Sequence, residues 1–374
     1  MAPYYHARAV AERRADQDGA TVVLGAAAPS VETYYRGTQG EIEILPLLSR
    51  VVGAPPEVSV APRGNDVIGP ILQDAIHRHL GEGGQVLLFL NRLGFYTGAA
   101  CRCRSVLRCS DCRVPLVFHL ADRSFHCHTC GKVVRTPRCP SCGEDRFHLF
   151  GAGTERVEHE ARRLFPSATV ARLDADTARN RDTILSAVAE GEVQILVGAQ
   201  MVGKGLDFPG ITLVGVVNAD QLLATPDFRA GERTYQLVAG AAGRAGRGDT
   251  PGQVVVQSDQ PDYYAIRCAL AGDYAAFYEE ELLYRESLRY PPFARLVRMI
   301  ATGRDAEAKA GSLAERLLGH GFEVLGPARL LPRRGIPRAQ LLVRGDESVV
   351  ARLAQVLPRP PSWLKVDPDP VWLG

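Results

Sequence analysis

Eight of the chain's nine cysteines crowd between Cys101 and Cys142 in four pairs: Cys101-x-Cys103, Cys109-x-x-Cys112, Cys127-x-x-Cys130 and Cys139-x-x-Cys142. A short gap lets two thiolates turn onto one ion at about 2.3 Å, and four such sulfurs complete a closed tetrahedral zinc site. Between Cys112 and Cys127, two β-prone runs around Ala121-Asp122-Arg123-Ser124 predict a hairpin that brings the second and third pairs together. The spacing therefore predicts an inner zinc on Cys109, Cys112, Cys127 and Cys130, and an outer zinc on Cys101, Cys103, Cys139 and Cys142. Free thiols or disulfides are the competing reading, and they are disfavoured in a chain without a secretory signal. A thioredoxin-type redox site would need one pair opening a helix, not four in one stretch. His119, His126 and His128 lie among the ligands, but eight sulfurs satisfy two ions without them. Closed sites of this kind hold structure, so no catalytic residue is assigned.

Arg102, Arg104, Arg108, Arg113, Lys132, Arg135 and Arg138 surround these cysteines. They either balance the thiolate charge or face phosphates. A second basic cluster, Arg329, Arg333, Arg334 and Arg338, falls in a stretch that reads as a loop between strands. Solvated loop charge is the plain reading, and contact of Arg333 and Arg334 with DNA phosphates is the functional one. The formal net charge is only +2, so bulk charge does not force a nucleic-acid partner. At 46% hydrophobic and 23% charged, the 374 residues exclude a disordered or fibrous chain and suit two or three globular domains. No run approaches the roughly 20 apolar residues of a membrane span, and the N-terminal MAPYYHARAV lacks a signal core, so a cytoplasmic protein is expected. The lone Cys268 stands among Ala265, Ile266 and Leu270 and reads as core.

Strand–helix alternation must position these residues. Residues 1–48 read as a helix (Tyr4–Ala15), a strand (Thr21–Leu24), a short helix after Pro29 and a strand near Ile42–Leu45, too little to complete a sheet. Residues 49–67, rich in Pro and Gly, read as a linker. From Ile68 a helix leads into the strand Val86–Leu90. Beyond the cysteines come helix Glu155–Leu164, strand Thr169–Leu173, helix Arg181–Ala189, strands Val193–Val197 and Thr212–Val217, helix Glu232–Ala241 and strand Gln253–Gln257. Near-continuous Val/Ile/Leu strands separated by helices predict a parallel sheet covered on both faces. The α/β domain is thus expected over 68–100 and 147–260, with the zinc insertion at 101–146 between its first and second strands. Helices over 261–292 end at Pro291-Pro292. Residues 293–374 read βαββαβ, a small ferredoxin-like α+β domain.

Three segments carry a further signal: Leu88-Phe-Leu-Asn-Arg-Leu-Gly-Phe95, Gly198-Ala-Gln-Met-Val-Gly-Lys-Gly-Leu-Asp-Phe-Pro209 and Ala242-Gly-Arg-Ala-Gly-Arg247. Their order, with the cysteine block after the first and Gly151-Ala-Gly-Thr-Glu155 after the block, resembles the primosomal protein N′ (PriA) family of bacterial replication-restart proteins along essentially the whole chain. The resemblance implies a RecA-like second helicase lobe over the α/β domain, and it makes residues 1–48 the remnant of a first lobe, with Leu24-Gly-Ala-Ala-Ala-Pro-Ser30 as that lobe's last motif. It further implies a nucleotide site, here vestigial, at Gly205, Asp207, Arg244 and Arg247, the last two as arginine fingers. Asn91, Arg92 and Lys204 are expected to contact DNA.

The family's first lobe carries a phosphate-binding loop and an acidic Mg²⁺ box, and this sequence has neither. Its Gly-Lys pairs, Gly131-Lys132 and Gly203-Lys204, are followed by Val133 and Gly205 rather than Ser or Thr. Asp346-Glu347 ends a strand but lies beyond the last motor motif and reads as the start of a helix. Ala26, Ala28, Leu93, Ala199 and Gly240 replace the family's usual residues, and Cys101-x-Cys103 is one residue shorter than the usual pair. Without groups to orient the phosphates, this chain is expected to lack ATPase activity of its own, leaving zinc as its cofactor and ATP doubtful. The reading is a replication-restart factor that binds forked or single-stranded DNA, works with other primosome proteins and helps reload the replicative helicase, with single-stranded DNA-binding protein a further candidate partner and the nucleoid its expected place. The alternatives are a fragment of an active ATP-dependent 3′-to-5′ helicase and a zinc-stabilised protein–protein adaptor.

Overall fold

The computed structural model describes residues 6–47, 55–64, 66–90, 98–103, 105, 107–110, 116–119, 123–126, 132–150, 153–174, 177–198, 208–223, 227–246, 252–333 and 335–373. Helices α1 (Ala7–Asp18) and α2 (Val31–Thr38) come first, then β1 (Glu57–Ala61), α3 (Pro70–Gly81) and β2 (Gln85–Phe89). The cysteine-rich insertion holds β3 (Gly98–Cys101), β4 (Val117–His119), β5 (Ser124–His126), β6 (Val133–Val134) and β7 (Phe147–Phe150). The alternation resumes with α4 (Thr154–Leu164), β8 (Val170–Leu173), α5 (Arg181–Ala189), β9 (Ile195–Gly198), β10 (Ile211–Val216), α6 (Asp220–Leu223), α7 (Ala230–Ala242) and β11 (Gln253–Gln257). Helices α8 (Tyr264–Ala271) and α9 (Tyr274–Ser287) lead to β12 (Arg295–Thr302), α10 (Ala306–Gly319), β13 (Glu323–Arg333), β14 (Ile336–Gly345), α11 (Val349–Val356) and β15 (Leu364–Pro368).

The central sheet is parallel throughout, in the order β1-β11-β10-β2-β9-β8. Every residue of β2, β9 and β10 is buried, as a sheet with both faces covered requires. On one face Leu72 and Ile76 of α3 pack with Val157 and Ala161 of α4; on the other, Tyr235 and Val238 of α7 pack with Phe277 of α9. Pro70 opens α3 where a missing N–H costs nothing. Helix α2 joins the second face: Ser30 caps it by accepting from the Thr33 N–H at 3.2 Å, Val31 is buried, and Tyr34 sits edge-on to Tyr274 and Tyr278. No helix among the described residues is long and apolar enough to cross a membrane.

Several expectations need correction. Thr21–Leu24 and Ile42–Leu45 are not strands; no neighbouring strand among the described residues supplies ladder partners, and Val23 and Leu45 are 85% and 74% exposed. Residues 57–61, read as linker, form edge strand β1, paired from Glu57↔Gln253 to Ala61↔Gln257. An edge strand bonds on one side only, which tolerates the flanking prolines that disguised it. The α/β sheet thus begins before residue 68, and the insertion follows its second strand in chain order rather than its first. The insertion also exceeds 101–146, because β3 and β7 pair antiparallel from Gly98↔Phe150 to Cys101↔Phe147 and form its stem. The C-terminal sheet runs β13-β14-β12-β15, antiparallel at every pairing, around Val297, Met299, Leu317 and Leu341. The stretch that holds Arg329, Arg333 and Arg338 is not a loop but the outer part of the long β13–β14 hairpin.

Candidate functional site

Cys101, Cys103, Cys139 and Cys142 converge, their sulfurs all within 4.8 Å of one another. The Cys101 and Cys142 sulfurs are 3.4 Å apart, and those of Cys103 and Cys139 3.5 Å. Sulfurs bound at ~2.3 Å to one tetrahedral centre lie roughly 3.8 Å apart, whereas a disulfide would bring them to about 2.05 Å. Backbone turns build both halves. The Cys101 N–H donates to Ser105 O at 2.9 Å, the Cys139 N–H to Glu144 O at 2.7 Å, and the Gly143 N–H to Cys139 O at 2.9 Å. Gly143 sits at φ 76°, a left-handed conformation that a side chain would oppose. Ser141 Oγ donates to Ser105 Oγ at 3.1 Å and ties the turns together.

Burial disfavours the Cys139 thiolate, but the amides of Ser141 and Cys142 and the thiols of Cys103 and Cys142 outweigh it and bring Cys139 down to about 6. The Glu144 amide favours the Cys142 thiolate, yet three neighbouring thiols hold its proton up to about 12. Four sulfurs this close cannot all ionise without a cation among them. The donor set fits a soft divalent metal ion.

Of the other set, Cys109 is buried in a small core with Ala99, Leu107, Leu116 and Phe125, while Cys112, Cys127 and Cys130 lie outside the described residues. The expected hairpin is there: β4 pairs with β5 from Val117↔His126 to His119↔Ser124, and β5 pairs with β6. Phe125 joins it to the stem, its ring tilted against Phe118 and edge-on to Phe147, with centroids 4.9 and 6.0 Å away.

The motor motifs leave the sheet at defined points. Strands β2 and β9 end side by side, Phe89 opposite Gly198, and the Leu90 N–H donates to Gly198 O at 2.9 Å. Asn91 and Arg92 follow the first end and Lys204, Gly205 and Asp207 the second; all five lie outside the described residues, as does Arg247. The chain returns at Phe208, whose carbonyl accepts from the Ile211 N–H at 3.1 Å, and the Gly246 N–H donates to Ile211 O at 3.3 Å. The described ends of the two segments, Phe208 and Gly246, therefore both bond to Ile211 at the start of β10. Arg244 is half-buried there, beside fully buried Ala245. Gly252 makes the approach possible, since a Cβ on it would lie 2.3 Å from the Gly246 nitrogen.

Arg333 is exposed near the hairpin tip, and Arg334 lies outside the described residues. Arg329 pairs with Glu307, which holds that carboxyl below its usual range. Asp346 accepts from the Ser348 N–H at 2.9 Å, but Ser348 is the N-cap of α11, so Asp346 stands in the turn before that helix and not at its start.

A buried ionic centre escaped the sequence reading. Arg285, 1% exposed, meets Glu232 at 2.5 Å, Glu281 at 2.8 Å and Glu32 at 3.3 Å, and donates to Pro291 O at 3.2 Å. Arg229 reaches the same Glu32 at 2.7 Å, and Tyr264 OH donates to Glu281 at 2.5 Å. Burial opposes the Glu32 carboxylate but Arg229 and Arg285 prevail and lower its pKa, whereas burial and the charge of Glu32 raise that of Glu232. Next to it the C-terminal tail docks on the start of α7: Arg229 donates to Pro370 O at 2.9 Å, the Leu373 N–H to Asp227 at 3.1 Å, and Arg233 covers the Trp372 ring at 3.1 Å. The only local signal was the i,i+4 pair Glu281 and Arg285.

Comparison with known proteins accords with this architecture. A family model described as the primosomal protein N C-terminal domain matches residues 286–371, and one described as the helicase conserved C-terminal domain matches residues 143–249. The replication restart protein PriA of Bacillus subtilis is 38% identical over 346 residues, covering 87% of this chain and 43% of that protein. That of Treponema pallidum is 38% identical over 365 residues, covering 94% and 56%. That of Synechocystis is 35% identical over 408 aligned positions, covering 99% and 49%. The chain spans about half the length of these relatives. With a cysteine cluster inserted into a helicase C-terminal lobe and a primosomal C-terminal domain after it, the chain belongs to the PriA family of replication restart proteins and corresponds to its C-terminal portion.

Proposed function

We propose that this chain serves replication restart by binding forked or single-stranded DNA, contacting other primosome proteins and helping to reload the replicative helicase, without hydrolysing ATP by itself. The observation that carries the reading is the shared exit of two motif segments from the adjacent ends of β2 and β9, in a chain of this family. Loops beyond the carboxyl ends of parallel strands are where an open α/β sheet binds its ligands. Asn91, Arg92 and Lys204 stand there in sequence, and Arg333 supplies a second, exposed phosphate contact. Gly205, Asp207, Arg244 and Arg247 form the remnant of a nucleotide site, for which this chain offers no phosphate loop. The exposed apolar residues Val23, Leu45 and Leu47 support reading residues 1–48 as part of a first lobe.

Zinc is the ion we assign to Cys101, Cys103, Cys139 and Cys142, with a second on Cys109, Cys112, Cys127 and Cys130. Bound zinc supplies fold stability to the insertion and leaves no open position for chemistry. The insertion then acts as a rigid basic module, and the protein works beside the nucleoid.

The test is fluorescence anisotropy with a forked DNA at two salt concentrations, together with an ATP turnover assay on the same sample. Expected are binding that weakens steeply with salt and no turnover. Absence of binding at low salt would favour the protein adaptor, and DNA-stimulated turnover lost in Arg247→Ala would favour the helicase.

A further inference from the structure

Beyond β15 the chain leaves the C-terminal sheet and crosses to the start of α7. Two arginines there hold its backbone: Arg229 donates to Pro370 O at 2.9 Å, and Arg233 donates to Val371 O. Asp227 accepts from the Leu373 N–H at 3.1 Å, and the Arg233 guanidinium lies 3.1 Å over the Trp372 ring. From the C-terminal sheet, Arg298 of β12 donates to Trp372 O at 2.9 Å. Pro370 and Leu373 are buried. Residues 370–373 are thus held by the C-terminal sheet on one side and by α7 on the other.

One of the arginines that receives this segment also holds α2. Arg229 uses Nη1 for Pro370 O and Nη2 for Glu32 of α2 at 2.7 Å, with its guanidinium 4.2 Å over the Phe228 ring. Asp227, its side chain fully buried, fixes the turn by accepting from the Arg229 N–H at 3.0 Å and from Arg233 at 3.0 Å. The Arg229 and Glu32 side chains are only 16% and 17% exposed. With residues 370–373 in place, the guanidinium is already positioned when it pairs with Glu32, and little side-chain freedom is lost. With them lifted, the pair must order a mobile side chain. Water also gains access, and in water the attraction between two charges falls several-fold.

We propose that residues 370–373 are a strap whose docking on α7 tightens α2 against the α/β lobe through Arg229. Lifting the strap loosens α2, and losing the Glu32 contact loosens the strap, because coupling through one shared group is reciprocal. The device links the C-terminal domain to the segment read as part of a first lobe, and it stands apart from the DNA-binding reading.

Amide hydrogen exchange on the full chain tests it, with α2 as the reporter and α3, on the opposite face of the central sheet, as the control. Two variants lift the strap: Trp372→Ala with Leu373→Ser, and a chain ended at Asp369. Each should accelerate exchange in α2 by about five-fold or more, the lower end of site-to-site coupling, and leave α3 unchanged. Glu32→Gln should in return accelerate exchange of the Leu373 amide. A cycle through Arg229→Met separates coupling from two independent contacts. In that background α2 exchanges faster from the outset, and lifting the strap adds nothing. Acceleration of α2 that is the same with and without Arg229, equal acceleration in α3, or unchanged exchange in α2 overturns the proposal.

Discussion

Replacing Arg285 with Met keeps most of the side-chain volume and removes the one cation that Glu32, Glu232 and Glu281 share. Arg229 still reaches Glu32 at 2.7 Å, but Glu232 and Glu281, 4% and 2% exposed, lose their charged partner. Removing one member of a buried ion pair leaves uncompensated charge and costs about 3–5 kcal/mol. At roughly 2–4 °C per kcal/mol for a unit of this size, the melting midpoint should fall by about 6–20 °C. The pH dependence gives a sharper signature. In the wild type Glu32 has a lowered pKa, so its contribution is full above the unfolded carboxylate range and fades as pH falls through the folded value. Without Arg285 the buried carboxyls are pushed upward, and the folded state takes up protons that the unfolded state does not. Stability of Arg285→Met should therefore rise as pH is lowered from 8 toward about 5, where free carboxyls remain ionised. Urea unfolding at several pH values measures both effects. A loss below about 1 kcal/mol, within the range of an exposed ion pair, or a pH profile parallel to the wild type, would refute this account of the centre.

Metal analysis of protein purified without added metal should return about two zinc per chain, and Cys142→Ser should remove one while the α/β lobe keeps its melting transition. Gly252→Ala places a Cβ 2.3 Å from the Gly246 nitrogen, so thermal melting should fall and hydrogen exchange at Ala245 and Gly246 should accelerate; unchanged exchange would mean the segment is not held by this contact. Arg333→Ala should weaken forked-DNA binding and lower its salt slope by about 0.7–0.9, the share of one phosphate contact. An unchanged slope would place the exposed hairpin tip away from the DNA.

Local spacing carried much of this protein. The cysteine pairs, the buried strands β2, β9 and β10 and the C-terminal βαββαβ order were legible because each is written within a few consecutive residues: a ligand gap, a Val/Ile/Leu run, a switch of period. Even the convergence of Cys101 and Cys103 with Cys139 and Cys142 followed, since a hairpin between the middle pairs leaves the outer pairs at its base. Elements whose identity depends on a distant partner were not legible. Glu57–Ala61 is a strand only because β11 lies beside it, and Thr21–Leu24, no less β-prone, has no strand beside it among the described residues. Arg285 carries no role until folding brings Glu32 and Glu232 to it from two other helices, and Gly252 none until the Ala245–Gly246 backbone presses against it. A residue's neighbours along the chain set what it prefers, but burial, charge pairing and steric fit depend on neighbours in space, and those only the tertiary structure supplies.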